Sequence, residues 1–152
     1  MKSRDVSNSS PVIVVGVDGS KGSLEALRWA AAQAQLTGAS LDVVTAWAFP
    51  EHGTPFGIVF DLASVADPTA RAREALDRAI FETLGNHEQI DLRAEVIPGD
   101  EAPVLLEAAR DADMLVVGNR GRGAFAGMLL GSVGEQCVRH SPCPVVVVRD
   151  HE

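Results

Sequence analysis

The chain has 152 residues, 46% hydrophobic and 22% charged, which suits one soluble domain of ordinary size and leaves little room for a second. A formal net charge of −8 argues against a surface that neutralises many phosphates, so duplex nucleic acid is not an expected partner. A local basic patch can still hold one small anion, because binding responds to the nearby field.

Residues Met1 to Ser10 are polar and aperiodic and read as a flexible N-terminal arm, leaving 11–150 as the folded domain. No secretory h-region follows, and the longest apolar runs are too short to span a bilayer, so a cytoplasmic protein without membrane contact is expected. Val12–Val17 is a continuous β-branched run, as in parallel strands buried on both faces. The next stretch, Gly22–Gly38, places Leu24, Leu27, Ala31 and Ala34 on one helical face, with Gly38 at its end. Ser40–Trp47 reads as a second strand. From Ala48 to Ala66 the pattern dissolves around Pro50, Gly53, Pro55 and Gly57, and a connection that long is either a binding loop or a surface excursion.

A helix restarts with Asp67 as cap and Pro68 in its first turn, presenting Ala72, Leu76, Ala79, Ile80, Thr83 and Leu84 on one face. Leu92, Ala94 and Val96 alternate with polar neighbours, as in a strand with one face exposed. A short helix is predicted over Glu101–Arg110 with Asp100 near its cap, then a buried strand over Met114–Gly118. After a glycine-rich loop, Ser132–His140 reads as a helix and the run from Cys143 to Asp150 as the last strand. Strict β-α alternation predicts a three-layer α/β/α domain with right-handed crossovers.

Ligands of open parallel sheets bind at the carboxyl ends of strands where the strand order reverses. Two ends stand out: the first strand delivers Asp18, and the fourth finishes in Gly118 and opens into the glycine loop. Glycines 118, 121, 123, 127 and 131 permit positive φ and close approach, so exposed amides can converge on an oxyanion. A helix beginning near Ser132 adds free N–H donors and the positive end of its dipole. Ser132 can cap that helix or bind phosphate, Asp18 can cap the first helix or touch a ligand, and Arg120 and Arg122 add charge. A P-loop fails, because Lys21 stands where its second glycine belongs. The fit of Gly121, Gly123 and Ala126 to a dinucleotide fingerprint fails too: the helix opens too late and the acidic partner is missing.

The spacing of Gly118, Gly121, Gly131 and Ser132 resembles the ATP-binding signature of the universal stress protein family, and Val12–Arg149 resembles it nearly throughout. The resemblance implies a five-stranded parallel sheet of order 3-2-1-4-5 with four helices, and ATP at its switch point, with or without Mg. It implies Asp18 near adenine and ribose, Ala46 lining the adenine pocket, and Gly118 near the ribose. Gly121, Arg122, Gly131, Ser132 and Val133 would cradle the phosphates, with Gly16, Val17 and Gly123 completing the set. Many relatives carry a hydroxyl residue where this chain has Gly134, which implies one phosphate contact fewer.

No metal ligands and no catalytic triad emerge from the residues: Cys137 and Cys143 read as free thiols, and the four histidines are scattered through loops and termini. Glu135 and Asp150 lack an evident partner as bases. The expected function is an ATP-binding sensor or regulator in stress adaptation, with a slow ATPase or phosphotransferase as the alternative and a nucleotide-free scaffold as a third. The resemblance also implies a homodimer through the last strand, Val145–Arg149; an apolar edge there invites a symmetric partner, unless the N-terminal arm covers it.

Overall fold

In the computed structural model, which describes residues 10–48, 68–121 and 127–150, strands and helices alternate without a break in the pattern. The elements are β1 (Val12–Gly16), α1 (Lys21–Thr37), β2 (Ser40–Trp47), α2 (Pro68–Leu84), β3 (Leu92–Pro98), α3 (Glu101–Ala108), β4 (Met114–Gly118), α4 (Ser132–His140) and β5 (Val145–Val148). All strand pairs are parallel and the sheet order is β3-β2-β1-β4-β5, as expected. The expected arm and the 48–66 connection lie outside the described residues except for Ser10 and Ala48.

Alternation along β1 splits the interior in two. Ile13, Val15 and Val17 pack with Leu27, Ala30, Leu76 and Ile80 on the side covered by α1 and α2. Val14 packs with Leu105, Leu115, Val117 and Cys137 on the side covered by α3 and α4. Each large aliphatic side chain fully withdrawn from water contributes about 1.5–3 kcal/mol, so the central strands anchor the domain. β3 is an edge and is half exposed along its length, which explains its polar alternation. The expected face of α2 is the inward one, with Leu76 and Ile80 buried.

Several boundaries differ from the sequence expectation. β1 ends at Gly16, one residue short of the expected Val17, whose amide still closes the ladder by donating to Val44 O at 2.9 Å. Ser20 is the N-cap of α1, its hydroxyl accepting from the Ser23 amide at 3.3 Å, so Asp18 does not cap that helix. Gly38 closes α1 in the left-handed conformation at φ 72°. α3 stops at Ala108, short of Arg110, and Asp100 occupies its N-cap without a side-chain hydrogen bond.

The end of β4 sits unusually close to the start of α1. A Cβ on Gly118 would stand 2.6 Å from the Gly22 carbonyl carbon, and one on Gly22 would stand 2.8 Å from Arg120 O. Backbone faces backbone, so neither side can yield by rotating a side chain. Gly118→Ala or Gly22→Ala is therefore expected to destabilise the fold by about 1–3 kcal/mol, the range of overpacking. Urea unfolding measures this, and an unchanged midpoint would contradict the close approach.

Candidate functional site

The chain runs from β1 outward to β2 and β3 on one side, then crosses back to β4 and β5 on the other. The order thus reverses between β1 and β4, where no crossover connection covers the carboxyl ends. The pairs Ile13↔Met114 to Val15↔Val116 set the two strands side by side, and Asp18 and Asn119 follow just beyond their ends. A cleft of about 200 Å³ opens there. Gly16, Asp18, Ser20 and Ser23 line it from the β1 side, and Gly118 to Gly121 from β4. Glu101 and Leu105 of α3 close one flank; Met128 and the start of α4, Gly131 to Gly134, close the other.

Asp18 is held by a short turn. Its Oδ1 accepts from the Ser20 amide at 2.8 Å, while its own amide donates to Ser23 Oγ at 3.2 Å. Its other carboxyl oxygen faces the loop: a Cβ on Gly121 would lie 2.9 Å from Asp18 Oδ2. The two strand tips singled out in the sequence are in fact opposite walls of one cleft.

The head of α4 presents amide donors, and its cap is a glycine. Gly131, rather than Ser132, is its N-cap, and no side chain caps it. The Gly131 amide is already taken, donating to Asn119 O at 2.6 Å. The first intrahelical bond runs from the Glu135 amide to Gly131 O at 2.9 Å. The amides of Ser132, Val133 and Gly134 therefore precede the helix ladder and have no intrahelical acceptor, and the helix dipole adds positive potential there. Positive φ is not what the loop glycines provide: among the described ones only Gly127 has it, at 90°. Gly131 is extended at φ −75°, ψ 171°, and a Cβ on it would find ordinary contacts at 3.6 Å. Its own backbone does not require a glycine.

Of the expected site residues, Gly16, Asp18, Gly118, Gly121, Gly131, Ser132 and Val133 line this cleft. Val17 and Ala46 do not: Val17 is buried, its carbonyl accepting from Thr45 Oγ1 at 2.8 Å, and Ala46 lies half-buried on β2. Arg122 and Gly123 lie outside the described residues. Arg120 is not a free charge, because it forms an ion pair with Asp150 at 2.8 Å. Glu135, likewise, pairs with Arg139 at 3.0 Å. Sequence reasoning missed Asn119, Glu101 and the serines of the first turn. A polar side chain set directly beyond a buried strand, as Asn119 is, was the available signal.

Cys137, on the inward face of α4, is fully buried. Burial pushes its thiol up to about 11, with the Glu101 carboxylate adding to the effect. Both cysteines are free thiols. Among the described residues no group of three or more histidine, cysteine, aspartate or glutamate side chains is placed to hold a metal ion, and no helix is long and apolar enough to cross a membrane.

Residues 11–149 match the model of the universal stress protein family. The chain is 35% identical to universal stress protein Rv2623 of Mycobacterium tuberculosis, over 95% of this chain and 50% of that protein. It is 34% identical to universal stress protein Rv1996 of the same organism, over 90% of this chain and 47% of that one. The chain thus spans about half the length of the curated relatives it matches. Among solved structures it resembles a universal stress protein in complex with cAMP, at 33% identity and TM-score 0.63, covering 95% of this chain and all of that one. The fold is also that of universal stress protein UspA from Lactobacillus plantarum, at TM-score 0.74 and 24% identity over 93% of this chain and all of that one.

With its thiol raised to about 11, Cys137 is a thiolate in about one molecule per thousand at pH 8. Iodoacetamide at that pH is expected to leave Cys137 unmodified in the native protein and to label it after denaturation. Peptide mass mapping reads this directly; rapid native labelling would contradict the burial.

Proposed function

The chain belongs to the universal stress protein family, and we propose that its cleft binds an adenine nucleotide, ATP among them, and that occupancy regulates a surface used in stress adaptation. The observation that carries this reading is the head of α4. Three amides without intrahelical acceptors follow a glycine whose own backbone does not need to be one, and their residues line the same cleft as Asp18. Such a helix terminus favours phosphate. The similarity to a family member solved with cAMP supports an adenine ligand of this type.

In this reading the amides of Ser132, Val133 and Gly134 receive a phosphate, and the missing side chain of Gly131 leaves room for it. Asp18, acceptor-only when ionised, takes hydroxyl or amine protons of the ribose and base. The Gly118 and Gly121 backbone lies alongside the ribose and phosphates, and Arg122 and Gly123 complete the phosphate set. The cleft is smaller than the several hundred Å³ typical of whole-ligand sites. The base accordingly extends past its described walls toward β2, on which Ala46 lies, and Gly16 and Val17 support the β1 tip from below. Binding linked to conformation, without turnover, is the mechanism.

We also propose that the chain pairs with a second copy through β5. That strand is an edge of four half-buried valines, and among the described residues no strand pairs with its outer side. An apolar edge of this kind is covered by a symmetric copy of itself.

Calorimetry with AMP, cAMP and MgATP tests the nucleotide reading. At least one is expected to bind, and Gly131→Val is expected to weaken it by about tenfold or more, about 1.4 kcal/mol, with little change in unfolding midpoint. No heat with any of the three, or a valine that leaves affinity intact, would count against it. For the pairing, light scattering of Val147→Asp is expected to show the mass of one chain where the wild type shows two; an unchanged mass would refute the β5 interface.

A further inference from the structure

Asp150 does not line the cleft, yet a chain of hydrogen bonds from the α4 head reaches it. The Gly131 amide donates to Asn119 O at 2.6 Å, and Asn119 Nδ2 donates to Leu129 O at 3.3 Å. One peptide plane and one amide side chain thus fix the two residues that frame the entry to α4. Asn119 is itself clamped: its amide donates to Val148 O at 2.9 Å, and its Oδ1 accepts from the Asp150 amide at 3.2 Å. Asn119 is 5% exposed, so these bonds have little competition from water. The next residue, Arg120, gives both contacts of one guanidinium nitrogen to Asp150, at 2.8 Å to Oδ2 and 3.1 Å to Oδ1. The paired side chains are only 22% and 14% exposed, which separates this pair from the solvated ion pairs on the helices.

We infer that Asp150 is a positioning residue for the amides at the head of α4: its carboxylate through Arg120, beside its main-chain amide on Asn119, sets the place of Gly131 and hence of the Ser132–Gly134 donors. A displacement of a few tenths of an ångström at Gly131 moves all three amides together, since they belong to one helical turn. The same clasp ties the cleft to the segment that leaves β5, so the ligand and the sheet edge share one set of bonds. Hydrogen bonding from Arg120 holds the Asp150 carboxyl below the usual carboxylate range, so it stays ionised at neutral and mildly acid pH and the clasp stays closed.

The ligand-binding consequence rests on the nucleotide reading above, whereas the placing of Gly131 does not, and the two are measured separately. Without ligand, amide hydrogen exchange at Gly131 and Asn119 is expected to accelerate about tenfold or more in Asp150→Ala, and less in Asp150→Asn, while the β1 and β4 amides keep their protection. Unchanged exchange at Gly131 would overturn the inference, whatever the cleft binds. With AMP, calorimetry is expected to show about a tenfold loss in Asp150→Ala and in Arg120→Ala, and no further loss in the double variant. Equal or tighter binding by Asp150→Ala, or losses that multiply in the double variant, would equally overturn it. A wild-type protein that does not bind AMP would count against the nucleotide reading and leave the clasp to be judged by exchange.

Discussion

The approach of Gly118 to Gly22, with no Cβ on either side, is the constraint from which the top of the sheet is built. It lets the last residue of β4 lie against the first turn of α1, and so lets the β1 and β4 tips share one cleft. With a methyl group at either place the two elements would separate, and Asp18 and the loop after β4 would no longer face each other. Below this contact the strands are held by aliphatic packing on both faces, which tolerates substitution of similar volume. At the contact itself there is nothing to repack. The cleft end of the sheet is thus unforgiving of added bulk at these two glycines.

Above that junction, backbone hydrogen bonds take over from packing. The carbonyl of Asn119 has a defined use, as an acceptor for Gly131, and the Asn119 side chain closes the loop on Leu129. Free amides were expected from the loop glycines and from the start of α4 alike. The loop amide at Gly131 serves the protein, and the donors left over belong to the helix that follows. The distinction matters for any variant of the site: a substitution at Asn119 or Asp150 acts on geometry, one at Ser132 or Val133 on the donors themselves.

Most of the architecture was legible in the sequence, because alternating β-branched runs and helical periodicity are local signals. The strand order could not be had from periodicity, and came from the resemblance carried by the spacing of Gly118, Gly121, Gly131 and Ser132. The cleft was legible too, as two strand tips bearing Asp18 and a glycine loop. What stayed hidden were contacts made across sequence distance. The partner of Arg120 is thirty residues away, and no pattern in either neighbourhood links the two. A serine at a helix start can serve as its cap, but the chain uses Gly131 there and leaves Ser132 as the first helical residue. The role of Gly118 is steric and depends on Gly22, a partner visible only once the fold exists.

The central claim is that a phosphate-bearing adenine ligand rests on the first turn of α4. Two-dimensional amide NMR of the full chain, titrated with AMP, tests it most directly. The account predicts the largest shifts at Ser132, Val133, Gly134 and Asp18, with β3 and the outer face of α2 unmoved. Shifts centred elsewhere on the domain, or a spectrum unchanged at millimolar AMP, would contradict it.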